Sequence, residues 1–148
     1  MHFKTIKPEK KVEQAIHWWL TRNKIWVNIY DSKGEYSAAR GKYKRKDGLV
    51  VGHPDLLGSS SDGLLVAIEL KAPGKLEGVS LEQFLFLRRM IDQYAFAAVI
   101  DSEELLQALW DQYKNLRSKC PKDASKFLLS QLPKKVTIDG RKVFAPGQ

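Results

Sequence analysis

Between Gly52 and Lys75 the chain reads GHPDLLGSSSDGLLVAIELKAPGK, and it places Asp55 after a proline and Glu69 and Lys71 on either side of Leu70. Side chains alternate between the faces of a strand, so Glu69 and Lys71 share one side. Leu64, Val66, Ile68 and Leu70 form one apolar face, while Leu65 and Ala67 lead up to Glu69 on the other. A stretch apolar on both sides reads as a central strand covered on each face. If Asp55 lies on the adjacent strand of a hairpin, its carboxylate faces the same spot as Glu69. Two converging carboxylates repel unless something positive sits between them, and a divalent cation answers that need. Ligands that are all oxygen favour Mg²⁺ or Mn²⁺, with the main-chain carbonyl of Leu70 as a further donor. Lys71 beside such an ion can acidify or orient a water, or stabilise charge developing on a phosphate.

The elements that must position these residues follow from periodicity. Val12, Ala15, Ile16, Trp19 and Leu20 recur at helical spacing behind Pro8, which predicts a helix from Pro8 to about Arg22. KIWVNIYD, Lys24 to Asp31, predicts a strand. A short strand over Pro54–Gly58 and a second over Leu64–Lys71 are expected to form a hairpin through GSSSDG. A helix from Ser80 to about Asp92, a strand over Ala95–Ile100 and a helix opened by Ser102 follow. The order is helix, three strands, helix, strand, helix, an α/β arrangement. Beyond Leu116, a short helix over Asp123–Leu132 and a hairpin turning at Asp139-Gly140 are expected.

Composition bounds the possible functions. A chain of 148 residues, 43% hydrophobic and 28% charged, suits a single packed domain. The net charge of +8 and pI of about 9.6 suit a polyanionic partner, nucleic acid first. No apolar run approaches the roughly 20 residues that span a bilayer, and MHFKTIKPEKK lacks the apolar centre of a secretory signal. No membrane partner and a cytoplasmic location are therefore expected. Cys120 is the single cysteine, which excludes an internal disulfide and a cysteine-rich zinc site. Trp18, Trp19, Trp26 and Trp110 are expected in the core rather than as stacking platforms.

GHPDLLG, then AIELKAPGK, then SLEQFLFL, together resemble the PD-(D/E)XK nuclease superfamily, in particular its virus-type replication-repair nuclease (VRR-NUC) branch. The likeness runs from about Glu9 to Trp110. It implies a restriction-endonuclease-like αβββαβ core over 1–117, followed by a further helix and a basic C-terminal extension, 118–148, packed on the same domain or used for dimerisation or DNA contact. It also implies a metal-dependent phosphodiesterase in which Asp55 and Glu69 match the metal-binding acids and Lys71 the lysine of the motif. Gln83 matches the glutamine on the following helix, and Glu13 resembles the acid on the first helix, with Glu9 an alternative for that role. Ser80-Leu81-Glu82-Gln83 also fits a capping box, in which Gln83 reaches back to the helix's own first amide.

Lys42, Lys44, Arg45 and Lys46 precede Asp55 closely enough to grip phosphates beside a scissile bond, and Arg88, Arg89, Lys134, Lys135, Arg141 and Lys142 could extend that surface. Such contacts position a substrate without reading its sequence. The expected activity is an Mg²⁺- or Mn²⁺-dependent DNA endonuclease selective for branched or four-way junction DNA. Its location would be the host cytoplasm if the virus-type likeness extends to origin. A junction-resolving role needs two coordinated cuts and hence a homodimer. The alternative is a catalytically inactive nucleic-acid-binding module that keeps the fold and the basic surface.

Overall fold

The computed structural model describes residues 5–29, 35–37, 42–44 and 51–147, the two central triplets as backbone alone. Helix α1 (Pro8–Arg22) starts on its proline and buries Val12, Ile16, Trp19 and Leu20 along one stripe, the spacing expected of a surface helix. Strand β1 (Ile25–Ile29) follows. Two three-residue strands, β2 (Glu35–Ser37) and β3 (Lys42–Lys44), then pair with each other. Strand β4 (Leu56–Ser60) starts later and runs further than sequence periodicity suggested. Its end is set by Ser60, whose amide and hydroxyl meet the carbonyl and amide of Leu64 at 2.9 and 3.1 Å and so close the turn into β5 (Leu65–Leu70).

Helix α2 (Leu81–Asp92) is capped by Ser80, and strand β6 (Phe96–Ile100) is buried along its whole length. Ser102 accepts from the Leu105 amide to cap α3 (Glu103–Lys119), with Glu103 and Glu104 in the positive first turn. Helix α4 (Pro121–Gln131) begins on a proline. Strands β7 (Lys135–Ile138) and β8 (Arg141–Phe144) form a hairpin through Asp139 and Gly140, both at positive φ, as a two-residue primed turn requires.

The main sheet has the order β1-β4-β5-β6, antiparallel except for the parallel pair β5–β6. The fold is thus a mixed α/β one, with a four-stranded sheet between helices. On one face α1 and α3 pack together. There Trp19 and Phe96 each meet Trp110 edge-on, at 5.8 and 5.0 Å between ring centres, an arrangement favoured by ring quadrupoles. The buried indole N–H of Trp19 is satisfied by Gln107 Oε1 at 2.7 Å. On the other face α2 packs on β5 and β6, while α4 touches α2, α3 and β6 and so spans both layers at the β6 edge. The C-terminal segment shares this core: Ala124, Leu128, Leu132, Val136 and Ala145 are all buried. Among the described residues no helix is long and apolar enough to cross a membrane.

The tryptophans divide. Trp19 and Trp110 are core residues, but Trp18 and Trp26 are 68% and 64% exposed, against expectation. Trp18 lies on the solvent side of α1. Trp26 alternates with the buried Ile25 and so points away from the α1 layer.

Candidate active site

Register decides whether the acids meet. In the β4–β5 ladder Leu56 lies opposite Ile68, and one step further out Asp55 stands opposite Glu69. Residues directly opposite in an antiparallel pair project to the same face at about 5 Å. The main-chain amide of Leu70 donates to Asp55 Oδ2 at 2.8 Å, which holds that carboxyl against the end of β5. Glu69 is only 2% exposed. Its Oε1 accepts from Gln83 Nε2 at 2.6 Å and lies 3.4 Å from Lys71 Nζ. Lys71 continues the β5 alternation to the same face, and its amide donates to the Ile100 carbonyl at 2.9 Å. The side chain of Leu70 points the other way into the core.

Gln83 holds both of the roles that its sequence position offered. Its Oε1 accepts from the Ser80 amide at 3.0 Å while its own amide donates to Ser80 Oγ at 3.1 Å, completing the capping box. The opposite end of the same side-chain amide serves Glu69. Helix capping therefore orients the donor that faces the acid.

Burial pushes the Glu69 carboxyl up to about 8, and the neighbouring Asp55 charge adds to the shift while Lys71 opposes it. Asp55 is also raised by burial, against the opposing pull of the Leu70 amide. Among the described residues no group of three or more His, Cys, Asp or Glu side chains is gathered for a metal ion. What the site offers is two acids and the adjoining main chain of Leu70. Glu69 Oε2 is buried without a hydrogen-bond donor, a state expensive for a carboxylate and relieved by a cation or a proton. A small hard cation commonly takes one or two protein carboxylates and keeps water on its remaining positions. The donor set fits Mg²⁺ or Mn²⁺ in that manner.

On α1, Glu13 is tied along its own helix, to Lys10 at 2.9 Å and near His17 at 4.0 Å. The acid of this helix whose charge acts on Asp55 is Glu9, one turn earlier. His53 uses its Nδ1 against the Pro54 carbonyl at 2.8 Å and leans on Phe86. Of the basic residues, Lys42 and Lys44 lie on β3, whose side chains fall outside the described residues, as do Arg45 and Lys46 entirely. Arg88 donates to the Pro146 carbonyl at 2.9 Å, Lys142 reaches Glu77 at 3.4 Å, and Lys135 lies over the Phe144 ring. These three residues are engaged within the C-terminal packing.

Two features escaped the sequence reading. Gly52, at φ 81°, lies so close to α2 that a Cβ there would come within 2.2 Å of the Glu82 carbonyl oxygen. That contact seats the segment before Asp55 on the helix end that carries Gln83. The second is a cavity of about 610 Å³, lined by Asn23, Ser60, Asp62, Trp110, Lys114 and Arg117 among others. It opens at the far end of the β4–β5 hairpin, so this cavity and the acid pair do not coincide.

Compared with protein-family models, curated proteins and solved structures, the chain matches none.

Proposed function

We propose that this chain is an Mg²⁺- or Mn²⁺-dependent deoxyribonuclease that hydrolyses phosphodiester bonds at the Asp55–Glu69–Lys71 cluster. The observation that carries the reading is the convergence of Asp55 and Glu69, from adjacent strands, with Lys71 and Gln83 on one buried carboxylate. The order of elements in and around the main sheet, with the β2–β3 pair inserted after β1, supports the PD-(D/E)XK reading.

Each residue then has a task. Asp55 and Glu69 supply the negative oxygens that would hold the cation, together with the main-chain carbonyl of Leu70. The Leu70 amide and Gln83 fix the two carboxyls so that Glu69 presents Oε2. Lys71 keeps an ammonium beside the pair, where it stabilises negative charge that grows on a phosphate and costs no reorganisation when it does so. When bound, the cation supplies Lewis-acid polarisation of a phosphoryl oxygen and acidifies water. The basic surface supplies affinity by displacing counterions and leaves chemistry to the cluster. Selectivity for branched or four-way junction DNA, with the homodimer that paired cuts require, belongs to the same proposal.

Cleavage of supercoiled, flapped and four-way junction DNA with Mn²⁺ tests it. The wild-type chain should cut at least one of these, and Asp55→Asn, Glu69→Gln and Lys71→Ala should each lower the rate by a factor of about 10² to 10⁴ with DNA affinity held within a few-fold. Folded protein that cuts none of them, or variants that cut as fast as wild type, would overturn the assignment.

A further inference from the structure

Among the described residues, the face of the sheet that carries Asp55 and Glu69 is covered by a helix over only half its width. Helix α2 packs on β5 and β6, and Ala67, Ala97 and Val99 beneath it are buried. Among the described residues, no helix packs on this face of β1 and β4. In register across them, Trp26 lies opposite Ser59, which lies opposite Leu65. These three residues share the parity of Asp55 and Glu69, so they project to the same face. Trp26 is 64% exposed and Leu65 43%. The Trp26 row stands four residues along β4 from Asp55, roughly 13 Å at strand rise, with the exposed Asn28 and half-buried Leu57 between.

We infer that this open half-face binds an unpaired stretch of nucleic acid leading to the acid pair, with Trp26 as a platform on which a base stacks. The inference rests on the nuclease reading and deepens it by naming a single-stranded element of the substrate. An exposed indole flanked by the polar Ser59 and Asn28 suits a base, which needs a ring face with hydrogen-bonding groups around it. A second protein copy would favour a more continuous apolar core than this row offers. The chain's charge of +8 complements a polyanion.

The test is binding of a fluorescent oligothymidylate and of a duplex of equal length to the full chain in EDTA, where no cutting intervenes. Trp26→Ala should weaken single-strand binding by a factor of about 5 to 150, the range for loss of one stacked base. Duplex binding should change less than two-fold, Trp26→Phe should restore most of the loss, and the equally exposed Trp18→Ala should have no effect. Equal behaviour of Trp26→Ala and Trp18→Ala would overturn the inference, as would equal losses on single strand and duplex. A dimer in sedimentation that Trp26→Ala dissociates would assign the face to a second copy instead and also overturn it. Cleavage measured separately keeps the two readings apart. Cutting without a Trp26 effect sinks this inference alone, and a Trp26 effect without cutting sinks the nuclease alone.

Discussion

At the level of single residues, the governing fact is that Glu69 is buried beside another acid. Its carboxyl is pushed up to about 8 from an ordinary 4.5, and Asp55 shifts in the same direction. In the folded chain a proton is thus retained that the unfolded chain releases. Without divalent cation, the stability this proton confers is fully present below about pH 4.5 and is lost as pH rises through about 8, at up to roughly 1 kcal/mol per pH unit. Denaturant melts of the metal-free chain between pH 5 and 8.5 should show that decline, and Glu69→Gln, which cannot ionise, should flatten it. A slope unaltered by the substitution would place the titrating group elsewhere. Gln83 separates structural from functional work in a similar way. Ser80→Ala removes the α2 cap and should cost about 1 kcal/mol with cleavage nearly unchanged. Gln83→Ala removes the reciprocal half of that box and also the donor to Glu69 Oε1, and it should raise the Mn²⁺ concentration needed for half-maximal cleavage about 10- to 100-fold. Equal Mn²⁺ requirements in the two variants would reduce Gln83 to a cap.

At the level of elements, the site is a meeting of the β4–β5 hairpin with the first turn of α2, and Gly52 sets how closely they meet. Gly52→Ala would place a methyl against the Glu82 carbonyl in a backbone conformation that L residues rarely adopt. It should cost about 1 to 3 kcal/mol in denaturant melts and lower cleavage by shifting Asp55. Gly63→Ala, at φ 84° but with open space around its Cβ, should cost less and leave cleavage alone. Similar losses in both would mean that backbone strain, not the α2 contact, matters at Gly52. The helices and strands of this arrangement could largely be read from the sequence because periodicity and caps are local: Pro8, Ser80 and Ser102 each start a helix where expected. The pairing of Asp55 with Glu69 could be posed but not decided, since a one-residue slip of register would send one acid to the other face. Gly52 was unreadable because its reason lies some thirty residues away in the chain, on α2. Trp26 was misjudged through its residue type, although its alternation with Ile25 and Val27 already pointed it outward.

At the level of the whole molecule, the family likeness implied a nuclease domain over 1–117 and an extension over 118–148 packed on it or used for dimerisation or DNA contact, and the C-terminal elements do pack against the preceding ones. Helix α4 lies against α2, α3 and β6. The Thr137 amide donates to the Val79 carbonyl at 2.8 Å immediately before the Ser80 cap, and the Arg88 guanidinium holds the Pro146 carbonyl. Ala124, Leu128, Leu132, Val136 and Ala145 contribute to the common core. Removing a single buried leucine side chain typically costs about 2 to 5 kcal/mol, and a domain of this size holds only about 5 to 15 kcal/mol in total. A chain ended after Lys119 loses two such leucines and a valine, and it exposes the α2, α3 and β6 surfaces that they cover. It should therefore fail to give a cooperative thermal transition and should be cut rapidly by trypsin, whereas a chain ended after Ala145 should melt cooperatively within a few degrees of the full chain. A stable, protease-resistant 1–119 fragment would show that the first 119 residues fold alone and that the C-terminal elements serve another purpose. The same truncation bears on the site, because α4 and β7 pack against α2, the helix that carries Gln83. If α2 loses that support, Gln83 and Lys71 no longer converge on one carboxylate, and cleavage should disappear with the fold.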